Sequence, residues 1–249
     1  MNNRDRFLNN LRRALGRRPG PPSPDGTAGT EFFADAESIA ARARALDADS
    51  ERNADSLLAQ LEDSGRQAGW KVTRVDTPGE AGRYVRSLST DLEARTILHS
   101  AHPVVSRLEL DSALGDTGVE IGLMAIQQGD DTPDDEQRLR LRERATTADI
   151  GVTGVDYAIA DTGTCVLLPR GGVSRLVSLL PPVYVAVVER GQVLPNLDAL
   201  MSLRRHAFHS GKLGSYMSLV TGPSRSADIE YTLVTGVHGP GEVHMVLVG

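Results

Sequence analysis

From Trp70 onward, short runs rich in β-branched residues alternate with helical stretches, and that alternation leaves few folds open. Strand-like runs occupy residues 70–75, 96–99, 119–125, 157–160, 165–168, 183–188 and 244–248. Helices are expected over 78–88, over a charged stretch ending near 147, over 196–208 and over 227–234. Strands that alternate with helices build βαβ units, so the expected fold is α/β, a mainly parallel central sheet with helices on both faces. The run 183–188 is apolar without polar alternation. A central strand buried on both sides requires that pattern.

Upstream of the sheet the texture differs. Phe7, Leu8, Leu11, Ala14 and Leu15 share one helical face, opposite Arg6, Arg13 and Arg17, which predicts a short amphipathic helix. Residues 16–30 hold Pro, Gly and Ser without apolar periodicity and read as a flexible linker. Residues 31–69 are Ala-rich and predict two helices broken near 47–50, with Leu57, Leu58 and Leu61 forming the buried stripe of the second. The expected organisation is therefore a helix and linker over 1–30, followed by one α/β domain over 31–249.

Composition narrows the partners. The formal net charge is -6, whereas nucleic-acid binding shows as a basic surplus, so no nucleic-acid partner is expected. Cys165 is the single cysteine, so an internal disulfide is impossible. An iron–sulfur cluster usually needs about four thiolates, so none is expected on this chain. No apolar run approaches the roughly 20 residues that cross a bilayer. Asn9, Asn10, Arg12 and Arg13 break up anything resembling a signal sequence, and a cytoplasmic location is expected. The pairs His99/His102 and His206/His209 lack a carboxylate or thiolate at ligand spacing, so no metal site is expected.

Three polar, glycine-bearing segments lie beside predicted strands, where ligands of open α/β sheets bind. The first, Gly-Val-Thr-Gly-Val-Asp-Tyr-Ala-Ile-Ala-Asp-Thr-Gly-Thr, contains Thr153, Asp156, Asp161, Thr162, Gly163 and Thr164. Asp161 is the candidate general base, and the turn after it offers hydroxyls and backbone N–H groups to an anion. Equally, Asp161 and Thr162 could do no more than cap a hairpin. The second segment places Arg170 and Arg175 around Gly171-Gly172, either as a clamp for a carboxylate or phosphate or as a solvated turn. Arg175 is the candidate there, being nearer the apolar run. The third holds Thr221, Gly222, Ser224 and Arg225, with Ser224 or Ser226 expected to cap the helix at 227–234. A helix start preceded by Gly, Ser and Arg is an anion site. His238, in a Gly/Pro turn, either shapes that turn or reaches the same loops.

These segments, in this order, resemble the lactate-utilisation protein C (LUD domain) family. The similarity runs through GVTGVDYAIADTGT, RLVSLLPPVYVAVV, TGPSRSADIE and GVHGPGEVHMVLV, about the last 100 residues, and extends to RDRFLNNLRRALGR near the start. The resemblance implies a fold like that of ribose-5-phosphate isomerase, glucosamine-phosphate deaminase and CoA transferases. It further implies a part in oxidising L-lactate to pyruvate with companion proteins, including one that carries iron–sulfur clusters. Asp161 stands where the family usually has glutamate, and Tyr184 where histidine is expected.

Three functions follow as expectations. The first is an accessory, small-carboxylate- or phosphate-binding subunit of an iron–sulfur lactate-oxidising system, possible as a homo-oligomer. The second is a stand-alone isomerase or CoA-transferase-like enzyme acting on a sugar phosphate or thioester through Asp161. The third is a metabolite-binding regulatory protein.

Overall fold

A computed structural model describes residues 35–126, 133–214, 216–229 and 232–249. The amphipathic helix and linker expected over 1–30 lie outside the described residues, as does most of the acidic loop before residue 133. The chain divides into two compact units, residues 1–42 and 43–249. In the first unit, the Asp35 carboxylate accepts the Ser38 amide at 2.8 Å and so caps a starting helix.

The elements run in the predicted alternation. Helices α1 (Ala36–Arg52) and α2 (Ala54–Ala68) precede β1 (Lys71–Val75), α3 (Pro78–Asp91), β2 (Thr96–His99), α4 (Pro103–Ser106), α5 (Leu110–Leu114) and β3 (Glu120–Leu123). Helix α6 (Asp134–Thr147) leads into β4 (Ile150–Gly154), β5 (Tyr157–Ile159), β6 (Thr164–Leu167), α7 (Leu176–Leu179) and β7 (Val183–Glu189). Then come β8 (Val193–Leu194), α8 (Leu197–His209), β9 (Ser218–Val220), β10 (Arg225–Ile229), β11 (Thr232–Thr235) and β12 (Glu242–Val248).

Six strands form one parallel sheet in the order β1-β12-β7-β4-β2-β3. Successive side chains of a strand point to opposite faces, and β7 shows the consequence. Tyr184, Ala186 and Val188 join one core cluster with Leu57, Leu58 and Leu61 of α2. Val185 and Val187 join another with Ala81, Val85 and Leu88 of α3. The unbroken apolar run is thus a strand covered on both faces, as predicted. A smaller sheet, ordered β8-β5-β6-β9, packs its own apolar side on Ala199, Leu200 and Leu203 of α8.

Local signals set the helix ends. The Thr77 hydroxyl accepts the Glu80 amide and Pro78 takes the first turn of α3. At the end of α2, Gly69 turns left-handed (φ 99°), and the amides of Gly69 and Trp70 close onto Arg66 and Gly65. The break between α1 and α2 falls at Asn53 rather than at 47–50.

Two expectations need correction. Residues 227–229 and 232–234, expected in a helix, are strand: β10 and β11 pair antiparallel, with Arg225 opposite Thr235 and Ser226 opposite Val234. Ile229, Thr232, Val234 and Thr235 are β-branched, a composition that favours strands over helix. Ser224 and Ser226 therefore cap no helix, and the helix-terminus anion site expected there has no helix to supply it. The Gly-Val-Thr-Gly stretch read as loop is a fully buried central strand, β4. Gly151 is needed there because a β-carbon would lie 1.9 Å from the Val177 carbonyl oxygen.

Candidate functional site

Beyond the carboxyl ends of β2 and β4 lies a polar junction built from four short segments. The loop after β2 carries His102, whose ring packs directly on Gly154 at the end of β4; a β-carbon on Gly154 would sit 2.2 Å from Nδ1. His102 Nδ1 accepts the Val104 amide at 3.3 Å. The ring proton consequently sits on Nε2, 3.7 Å from Oδ1 of Asp156. Asp156 Oδ2 accepts the Leu168 amide at 2.7 Å, and Oδ1 accepts Arg170 Nη1 at 2.7 Å. Burial alone would push the Asp156 carboxyl pKa up. The His102 N–H facing it at 3.7 Å, the bond from the Leu168 amide and the charge of Arg170 outweigh burial and hold the pKa below its ordinary value.

Arg170 is thereby fixed. Its Nη1 also donates to the Leu168 carbonyl at 2.9 Å. The following turn closes through Val173 N–H to Arg170 C=O, 2.9 Å. Gly172, at φ 73°, accepts the Ala101 amide at 2.7 Å, which staples the turn to the end of β2.

Beside this turn opens a cleft of about 430 Å³. Met124, Leu141 and Leu176 line its apolar part, and Arg138, Arg142, Arg170, Gly171, Gly172 and Ser174 its polar part. Arg138 and Arg142 stand one helical turn apart on α6, so their side chains share a face. Arg138 pairs with Asp135 at 3.1 Å in an exposed ion pair. Arg142 is exposed and makes no ion pair among the described residues. Next to Ala101, Ser100 Oγ is buried without a hydrogen-bond partner among the described residues. The cleft has the size of a small-molecule site and the place that ligands take in open α/β sheets.

The residues singled out in the sequence fall into separate places. Thr153 is buried, its hydroxyl bonded at 2.7 Å to that of Tyr184. Thr162, Thr164 and Thr221 form a row of hydroxyls linked at 2.8 Å each. Gly163 presses on the backbone of Gly65 and accepts the Trp70 indole N–H at 2.9 Å. Gly222 meets Ala68, whose carbonyl also accepts Arg225 Nη2 at 2.9 Å. These five residues (Thr164, Thr221, Gly163, Gly222 and Arg225) come together around the smaller sheet and the end of α2. Ser224 Oγ accepts the His238 amide at 3.3 Å, and His238 lines a second cavity of about 710 Å³ at the amino ends of β7 and β12. Asp161 is exposed, and its amide donates to the Pro195 carbonyl. Arg175 stacks on Tyr216, 5.1 Å from the ring centre. Of the candidates, Asp156 and Arg170 belong to the strand-end junction, whereas Arg175, preferred over Arg170 in the sequence, does not.

Sequence reasoning missed Arg138 and Arg142 as site residues. Their only signal was i,i+4 spacing on a helix crowded with charge, where a solvated face reads the same.

Among the described residues, no group of three or more His, Cys, Asp or Glu side chains could hold a metal ion, and no helix is long and apolar enough to cross a membrane. Burial pushes the Cys165 thiol pKa far above its ordinary value.

The LUD domain model matches residues 58–248, from α2 to the last strand and so through the whole junction. The chain belongs to the LUD-domain family. Lactate utilization protein C of Halalkalibacterium halodurans is 32% identical over 243 residues, covering 95% of this chain and 94% of that protein. Lactate utilization protein B of Shouchella clausii is 27% identical over 78% of this chain, a match that spans 48% of that longer protein. A solved DUF162-family protein from Deinococcus radiodurans shares the fold, with a TM-score of 0.51, 20% identity, and coverage of 79% of this chain and 98% of that one. The LUD domain here thus has its sheet, its cleft and its loops within the matched region.

Proposed function

We propose that this LUD-domain chain is a subunit of a cytoplasmic lactate-oxidising system, converting L-lactate to pyruvate together with companion proteins. The observation that carries the reading is the end-to-end likeness to lactate utilization protein C, which leaves no large segment of either chain unmatched. In this reading iron–sulfur clusters belong to a partner, since the chain's one thiol, Cys165, is buried and held protonated. This chain contributes a bound small carboxylate or phosphate. The cleft beside Arg170 supports that assignment, because a pre-positioned guanidinium recognises such oxyanions with little ordering cost.

The test is an anaerobic pull-down of the tagged chain from its own host, assayed for L-lactate-dependent dye reduction. The expected result is reduction by the eluate, with cluster-bearing proteins in it and no reduction by the purified chain. Lactate oxidation that proceeds unchanged in a strain lacking this chain would overturn the reading.

A further inference from the structure

The cleft also limits what the bound anion can be. Resting on the proposal that this chain binds an anion, we infer that Arg138, Arg142 and Arg170 form a site for an organic phosphate with an apolar body, rather than for lactate itself.

Size is the first argument. A volume of about 430 Å³ falls within the range of sites for drug-sized ligands and far exceeds a three-carbon acid. Bound in it, lactate would leave the half-buried Leu141 and Leu176 partly facing water. An apolar ligand body covers them, and burying that surface contributes roughly 25 cal/mol per Å².

Charge is the second. A monocarboxylate satisfies one guanidinium fork, whereas three arginines line this cleft. A phosphate monoester carries close to two negative charges at neutral pH and three strong acceptor oxygens. The three arginines are not equivalent. Arg170 is the rigid one: Nη1 is fixed by Asp156 and the Leu168 carbonyl, and its other nitrogens have no partner among the described residues. Arg142 is the available one, with no competing ion pair among the described residues. Arg138 already shares an exposed carboxylate, a pairing that costs little to give up. Next to Arg170, exposed Gly171 lets ligand oxygens approach the backbone without a β-carbon in the way.

Isothermal titration of the full chain at physiological salt, with phenyl phosphate, inorganic phosphate and L-lactate as probes, tests this. Phenyl phosphate is expected to bind at least about tenfold more tightly than either of the others. Arg142→Ala, an exposed helical position where alanine is well tolerated, is expected to weaken phenyl phosphate about tenfold with an unchanged melting temperature. Arg170→Lys keeps a charge beside Asp156 but loses the fork, and is expected to weaken binding similarly. Arg140→Ala, on the same helix but outside the cleft, should leave affinity unchanged. The inference is overturned by no binding of phenyl phosphate, or by binding indifferent to Arg142→Ala. L-lactate that binds as tightly as phenyl phosphate, in an Arg142-dependent way, overturns the phosphate class while the small-anion subunit reading stands. If no probe binds but the pull-down still reduces dye with lactate, the site falls and the subunit survives.

Discussion

Gly163 and Gly171 each sit in a polar turn following a strand, one at the smaller sheet and one at the carboxyl ends of the larger, yet they do opposite things. At Gly163 a β-carbon would lie 2.7 Å from the Gly65 backbone, and the carbonyl is taken by the Trp70 indole. At Gly171 nothing lies within 4 Å. The first turn is filled by protein: its glycine, hydroxyls and neighbouring Arg225 serve the docking of α2. The second is fixed at its base by Asp156 and open at its tip. A glycine that packs and a glycine that leaves room look alike in a sequence, and only the second opens onto the candidate cleft.

The difference can be tested by substitution. Gly163→Ala should have the largest effect, about 3 kcal/mol of destabilisation in urea unfolding, because a left-handed backbone (φ 65°) and an overpacked contact both penalise the methyl group. Gly171→Ala should cost less than about 0.5 kcal/mol. Equal costs would erase the distinction between a filled and an open turn.

Asp156→Asn comes next. It exchanges charge-assisted bonds for neutral ones and should cost about 2 kcal/mol at neutral pH. Because the folded Asp156 pKa is depressed, its contribution is present above the unfolded value of about 3.9 and is lost as pH falls through the lower, folded value. Unfolding curves of the variant and the parent should therefore converge below about pH 4. A gap that persists undiminished at acid pH would mean that the charge of Asp156 does not hold the turn.

Arg225→Ala should be milder than Asp156→Asn, about 0.5–1 kcal/mol, since one exposed bond to the Ala68 carbonyl is lost. Anion affinity, measured by the same titration, should not change. A clear drop in anion affinity would return the ligand to the filled side of the molecule.

Much of this architecture was legible beforehand. The run 183–188 announced a strand buried on both faces, and the alternation after Trp70 announced a parallel sheet, because burial imposes a period that sequence preserves. The segment 225–235 was misread because Ala227, Asp228 and Glu230 after two serines look like a capped helix start, while the β-branched residues that decide the matter follow later. Strand β4 was missed because its glycine and threonine are there for close approach of α7 and for the Tyr184 hydroxyl, neither visible without the partner. The cleft was hidden for a different reason. Arg138 and Arg142 lie on a helix whose polar face carries no record of which side turns inward, and Arg170 comes from a separate turn after β6.

Cys165 has a practical consequence. It is the single thiol of the chain, wholly buried in a core strand and chemically quiet. A thiol reagent added to the native protein should react only when that strand is exposed, so the rate of labelling clocks the opening of the core. Any cysteine placed on the surface, for instance at the rim of the cleft, would be labelled at once and alone. The protein thus comes equipped for attaching a single reporter beside its candidate site while keeping an internal timer of its own integrity.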